Sequence, residues 1–252
     1  MCLIAFAWNA HPEYRLILAA NRDEFHGRPS EAMHWWQDRE DLLAGRDLEA
    51  GGTWLGVSRS GRFAAVTNYR EELQRPHSGR SRGELVVGFL QDEQTALAFC
   101  TSIDLGPYRG VSMLAAAGDE MAYVSNRGDA ARSLAPGIYG LSNASLDTPW
   151  TKVARSKAAL RLATQQESFD TEFLFRLLAD REPAATDDYA GAGLPPELAR
   201  AVSAPFIAST DYGTRCSTAL LVGRSGCIQM YERRFDNAGR PAGETSFEFH
   251  MG

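Results

Sequence analysis

The unbroken apolar run Cys2 to Trp8 (CLIAFAW) constrains this chain more than any other segment. Neither of its alternate-residue faces is polar, so it reads as a strand covered on both sides, a buried element of a layered protein. Arg15 to Asn21 (RLILAAN) reads as its partner, and Asn9-Ala10-His11-Pro12-Glu13 supplies the turn between them. Folding back near Pro12 brings Arg22 and Asp23 beside Cys2. A register slip of one residue would exchange the faces.

Cys2 follows Met1 directly, and that position carries chemistry. Once Met1 is removed, the chain starts with a thiol and a free α-amine on the same residue. The amine titrates near about 7.7 to 8 and the thiol near about 8.5, so at neutral pH some amine is free to take the thiol proton. The same pairing activates an N-terminal threonine. The plainer reading of Cys2 is a small hydrophobe in a core strand.

At 252 residues, 44% of them hydrophobic, the chain can fill a sizeable core, and the absence of linkers, repeats or low-complexity tracts favours one domain over 1-252. A net charge of -6 gives no field attractive to nucleic acid or anionic membranes. The basic residues are almost all arginine, with lysine only at Lys152 and Lys157. No apolar run reaches the roughly 18 residues of a membrane span, and Leu3 to Trp8 lacks the basic leader of a signal peptide. Cys2, Cys100, Cys216 and Cys227 show no paired spacing and read as reduced thiols, which points to the cytoplasm. His11, His26, His34, His77 and His250 show no ligand spacing, and no phosphate-binding or dinucleotide loop occurs, so no metal or cofactor is expected.

A second hairpin is predicted from Thr53 to Ser58 and Arg62 to Thr67 around Arg59-Ser60-Gly61, which sets Asn68 opposite Gly51-Gly52. Ser81-Arg82-Gly83-Glu84 has capping-box spacing before an apolar helix, and Thr95 to Ser102 continues a helical pattern. Val111 to Ala117 and Met121 to Asn126 read as a hairpin, followed by a strand from Ile138 to Ser142. Thr148-Pro149 reads as the start of a helix through Ala163, and Thr171 to Leu178 as another. Strands at Cys216 to Val222, Cys227 to Arg233 and Ser246 to His250 close the chain. Strand-rich ends around helices, with a strand buried on both faces, predict an αββα sandwich of two mainly antiparallel sheets between helical layers.

The Met-Cys start with Asn21-Arg22-Asp23-Glu24, the run Gly51-Gly52-Thr53-Trp54-Leu55-Gly56, Ser81-Arg82-Gly83, Leu141-Ser142-Asn143 with Leu146-Asp147-Thr148-Pro149-Trp150, and Tyr212-Gly213-Thr214-Arg215 together resemble the NRDE protein family, also called the transport and Golgi organisation protein 2 family. The likeness spans positions 2 to about 222. That family in turn resembles the cysteine N-terminal nucleophile hydrolases, the group of penicillin V acylase and bile salt hydrolase, which implies the same αββα sandwich. Its eukaryotic members are associated with secretory organisation, lipid balance and haem trafficking.

The resemblance implies roles residue by residue. Cys2 matches the nucleophile and Asp23 the carboxylate that holds the α-amine. Where the hydrolases have Arg-Asn-x-Asp, this chain has Ala20-Asn21-Arg22-Asp23, so Arg22 or another arginine must stabilise the thiolate. Asn68 matches the asparagine donating to the oxyanion, Asn143 a later asparagine beside the α-amine and the substrate carbonyl, and Arg215 an arginine near the nucleophile. Asn21, Gly52, Trp54 and Arg82 are expected at the substrate, with Arg75, His77, Arg80 and Arg82 as a possible clamp for an anionic head or simply a solvated loop. Two functions follow. One is a hydrolase or acyltransferase acting on a small-molecule amide or thioester through an acyl-Cys2 intermediate. The other is a non-enzymatic carrier of a lipid, an acyl-CoA or haem, which can keep Met1.

Overall fold

The computed structural model describes residues 2–70, 79–165, 170–185 and 196–252. The apolar opening run becomes β1 (Cys2–Trp8), and the chain returns in β2 (Tyr14–Phe25). These two pair antiparallel and form the middle of a six-stranded sheet with β10 (Gly137–Leu141), β11 (Tyr212–Gly223), β12 (Cys227–Phe235) and β13 (Pro241–His250), in the order β10-β1-β2-β11-β12-β13. A seven-stranded sheet packs on it, built in chain order from β3 (Ser30–Trp36), β4 (Arg39–Asp47), β5 (Leu55–Ser58), β6 (Phe63–Asn68), β7 (Val111–Ala117), β8 (Glu120–Ser125) and β9 (Arg132–Ser133).

The doubly apolar character of β1 now has a cause. Its large side chains Ile4, Phe6 and Trp8 enter the core between the sheets with Leu55, Val57, Phe63 and Leu114. Its small ones, Ala5 and Ala7, face α3 (Thr151–Ala163) and α4 (Thr171–Leu178) through Leu160, Leu174 and Leu178. Small residues there let the helices lie close: a Cβ at Gly140 of β10 would sit 2.6 Å from Val153 Cγ1. On the other outer face α1 (Gly83–Leu90) and α2 (Ala96–Ser102) cover β4 to β8. The result is the αββα sandwich that the strand and helix pattern predicted. Among the described residues no helix is long and apolar enough to cross a membrane.

Several boundaries differ from the expectation for identifiable reasons. β2 runs on to Phe25 because β11 pairs with it as far as Tyr212 opposite Phe25. The helix expected from Thr148-Pro149 begins at Thr151, because the Thr148 hydroxyl donates to Ser145 O at 2.8 Å inside a preceding turn instead of capping the helix. β3 and β4 went unforeseen: charged residues and register shifts break their alternation.

Candidate active site

The antiparallel register sets Cys2 directly opposite Arg22. Side chains alternate along β2, so Arg22 shares the inter-sheet face with Cys2, and Asn21 and Asp23 turn the other way. The same row continues across the sheet through Cys216 on β11 and Arg234 on β12. It ends in a cleft of about 1410 Å³ between the sheets, lined among others by Cys2, Arg22, Gly52, Trp54, Asn68, Arg82 and Arg215.

Asp23 is 2% exposed and accepts a hydrogen bond from Thr214 Oγ1 at 2.7 Å. With Met1 in place, burial pushes its carboxyl up from 3.8 to about 6, against the pull of the Met1 ammonium, of Lys152, of the Thr214 hydroxyl and of Arg22. Burial also raises the Cys2 thiol. The ammonium of Met1, the Asp23 backbone N–H and Arg22 draw it back, whereas the Asp23 charge adds to the rise. Cys100 lacks any such cation, and burial with Glu120 pushes it up to about 12.

Asn68 ends β6 at the cleft. Asn143 Nδ2 donates to its Oδ1 at 2.8 Å and to its backbone carbonyl at 3.1 Å. With its carbonyl oxygen engaged, the Asn68 amide nitrogen is the group left to face a ligand, an orientation inferred from this hydrogen-bond pattern. Asn143 itself is fully buried at φ 55 and stands one step back from the cleft, behind Asn68. Its neighbour Ser142 donates from Oγ to the carbonyl of Cys2 at 2.8 Å, so one loop braces both residues.

Not every expected residue lines the cleft. Asn21 is a correction: it is fully buried, its Nδ2 donates to Leu178 O and Pro205 O at 2.9 Å each, and its Oδ1 accepts from Ser217 Oγ, so it ties the sheet to the helical layer. Arg215 occupies a bulge in β11 and donates to His26 and Asn237 on the outer lip of the cleft, leaving Cys216 as the residue next to Arg22. Gly52 borders the cleft, but a Cβ there would come within 2.7 Å of the Gly83 carbonyl carbon. The two glycine motifs are thus one contact, where the start of α1 lies backbone to backbone on the turn before β5. Trp54 borders the cleft and also packs against the inter-sheet core. Arg82 lines the far wall, where it donates to Gly110 O at 3.2 Å, and Arg80 pairs with Glu84 at 2.7 Å. Arg75 and His77 lie outside the described residues.

Other groups went unnoticed in the sequence. Asp47, at the end of β4 in the opposite sheet, accepts from Arg22 Nη2 at 3.3 Å and from Arg28 Nε at 2.6 Å, while its Oδ1 accepts the Glu49 and Ala50 backbone N–H groups. It therefore pins Arg22 from across the cleft. Glu232 lies in the cleft wall, its Oε1 accepting Met33 N–H at 3.0 Å and its carboxyl bonded to the Cys216 thiol. Thr214 had a signal in the Tyr212-Gly213-Thr214-Arg215 motif, where attention fell on the arginine.

A buried cysteine at the head of a central strand, in an αββα sandwich with the cleft at the strand ends, is the arrangement of an N-terminal nucleophile hydrolase fold. In line with this, the structure superposes on the mutant C2A conjugated bile acid hydrolase from Clostridium perfringens with a TM-score of 0.55 at 8% identity, covering 100% of this chain and 92% of that one. At that identity the likeness is one of fold. The family model for Transport and Golgi organisation 2 matches residues 1–237, and the chain belongs to that family. It is 37% identical over 277 residues to the Transport and Golgi organization 2 homolog of Mus musculus, and 36% identical over 276 residues to the Transport and Golgi organization protein 2 homolog of Homo sapiens. Each match covers 100% of this chain and 99% of the relative.

Proposed function

We propose that this protein is a cysteine N-terminal nucleophile hydrolase or acyltransferase that cleaves an amide or thioester through an acyl-Cys2 intermediate. The carrying observation is the Cys2–Arg22 pair in a cleft that also holds an oriented Asn68. After Met1 is removed, the α-amine of Cys2 takes the thiol proton, and the thiolate attacks the substrate carbonyl carbon. The carbonyl π electrons move onto oxygen, and Asn68 donates to that oxyanion with Asn143 as its positioning residue. Collapse expels the amine or thiol, which leaves with the proton held by the α-ammonium. Water or another acceptor, deprotonated by the same amine, then releases the acyl group. Asp23 holds the amine in place, as a buried carboxylate orients the base of a catalytic triad. Arg22, steadied by Asp47, favours the thiolate. Four free cysteines support a reducing, cytoplasmic setting for this chemistry.

The size of the cleft supports a second reading, a carrier of a lipid, an acyl-CoA or haem that needs no free amine. Intact-mass analysis of protein made in a processing-competent host, before and after limiting p-nitrophenyl acetate, separates the two. Loss of Met1 with one acetyl group on Cys2 is the expected result. A retained Met1, or labelling spread over Cys100, Cys216 and Cys227, would remove the enzyme reading and leave the carrier.

A further inference from the structure

The row of side chains that starts at Cys2 runs across the sheet to Arg22 on β2, Cys216 on β11 and Arg234 on β12. Neighbouring strands stand about 4.8 Å apart, so the two arginines flank Cys216 along one wall of the cleft, and Arg215 stands at its lip. Three guanidiniums therefore gather at one end of the cleft. Burial, together with the charges of Arg22 and Arg234, pushes Arg215 below the ordinary arginine range, as expected of cations held near one another.

The acids around them are already engaged. Asp47 takes Arg28 at 2.6 Å and Arg22 at 3.3 Å, and Glu24 stands 3.9 Å from Arg22. Glu232 accepts Met33 N–H and is bonded to the Cys216 thiol. Among the described residues neither Arg215 nor Arg234 pairs with a carboxylate: Arg234 donates to Ser30 O at 3.0 Å, and Arg215 to His26 and Asn237. Arg22 is the sharper case. It is 7% exposed, and its Nη1 is buried without a hydrogen-bond partner. An enclosed guanidinium N–H with nothing to receive it is costly, and next to a nucleophile it calls for an acceptor supplied by the ligand.

The proposed reaction says which half of the ligand that is. The leaving group takes its proton from the α-amine, which Asp23 holds, and Asp23 turns to the other face of the sheet. The acyl group stays on Sγ, on the face that Arg22 and Arg234 share. We infer that the acyl half of the substrate ends in a carboxylate, as in the half-amide or half-thioester of a short dicarboxylic acid, and that Arg22, Arg215 and Arg234 receive it. The inference rests on the nucleophile reading of Cys2 and adds a substrate class to it. Arginine suits the task, because its planar fork meets a carboxylate with two parallel N–H donors. Arg22 can serve twice, with Nη2 on Asp47 and Nη1 on the ligand.

The test compares two esters of equal chain length and the same leaving group, mono-p-nitrophenyl adipate and p-nitrophenyl hexanoate, on processed protein at pH 7. With each, Sγ bonds to the acyl carbon and p-nitrophenolate leaves, and the rate is read from the mass of the Cys2 peptide. Wild type is expected to favour the adipate ester by about tenfold or more, with the preference shrinking as salt is raised. Arg234→Met and Arg215→Met are each expected to lower that ratio severalfold, and Arg234→Lys to restore part of it. Equal rates in wild type, or a ratio unmoved in both Met variants, overturn the inference, and the wild-type ratio decides alone if the variants do not fold. If neither ester labels Cys2, the nucleophile reading fails instead. The arginine site is then judged by titrating adipate into wild type and following the Arg22 and Arg234 Nε–H signals by NMR: shifts in both support it, and their absence overturns it.

Discussion

Cys2 and Cys216 stand on either side of Arg22, in the same sheet, on the same face and at the edge of the same cleft, and both are buried. Only their other neighbours differ. Cys2 begins its strand, so the ammonium of the preceding Met1 and the Asp23 backbone N–H work against burial, while the Asp23 charge adds to it. Cys216 sits in mid-strand with the Glu232 carboxyl bonded to it, and burial together with that acid raises its thiol well above the ordinary value. An arginine beside a thiol is therefore not enough to make a nucleophile. In the proposed mechanism, removal of Met1 gives Cys2 a base of its own, whereas Cys216 has the Glu232 carboxyl bonded to its sulfur.

The strongest way to break this comparison is to remove each sulfur in turn. Cys2→Ala is expected to abolish acyl transfer while keeping the thermal unfolding midpoint within a few degrees, since the change is small and lies at a strand end. Cys216→Ala is expected to retain single-site acetylation at Cys2, read by peptide mass mapping. If Cys2→Ala still turns over substrate, or if the label moves to Cys216, the contrast between the two thiols is void. The next effect concerns the oxyanion. Asn68→Ala should lower kcat on the order of a hundredfold or more, about 3 kcal/mol, with KM changed far less. Asn143→Ala should reproduce part of that loss, because it frees the Asn68 side chain to turn. An unchanged kcat in Asn68→Ala would leave Cys2 without an oxyanion donor.

How far this site could be read from the chain depends on the range of the contacts. The hairpin that joins Cys2 to Arg22 was legible, because its two apolar runs and the turn at Pro12 are neighbours in sequence. The layered fold was legible for the same reason, helped by motifs whose order matched a known family. The face on which Asn21 points was not, since a single step of alternation decides between cleft and helical layer, and only the amide bonds to Leu178 and Pro205 settle it. Asp47 was invisible because it reaches the Cys2 row from a distant strand whose pairing is irregular, and Glu232 because it stands as a charged residue on the inward face of a strand that meets the Cys2 row only through long-range sheet pairing. Asn143 was expected beside the amine and the substrate carbonyl, and its bonds to Asn68, a residue 75 positions away, could not be read from the motif that contains it.

Asp23 provides a pH test of the same contrast, since Cys216 has no buried carboxyl tied to an amine. The Asp23 pKa in the folded chain, about 6, lies above the unfolded value of 3.8. Between those values the unfolded chain binds fewer protons than the folded one, so stability falls as pH rises from about 4 to 6 and does not return above it. Two units correspond to about 3 kcal/mol, and Asp23→Asn should remove roughly that much of the fall, measured as denaturant midpoints across the window. The same variant should acylate poorly at every pH. An equal slope in wild type and Asp23→Asn would mean that Asp23 is not the buried carboxyl that titrates there.

The smallest expected effect is also the one that would make Cys216 resemble Cys2. Glu232→Gln keeps the shape and can still accept the Met33 N–H through its amide oxygen, so the wall of the cleft should hold. What it removes is the negative charge next to the Cys216 sulfur. Arg22 and Arg234, which already favour the Cys216 thiolate, then act unopposed. The thiol should titrate lower, and its alkylation by iodoacetamide at pH 8 should quicken by about threefold to tenfold, while burial, the leading cause of the rise, still keeps it slower than Cys2. Unchanged alkylation would assign the inertness of Cys216 to burial alone and weaken the case that a neighbouring acid separates the two thiols. A Cys216 that overtook Cys2 would go further, because the terminal amine would then confer no advantage on the first sulfur.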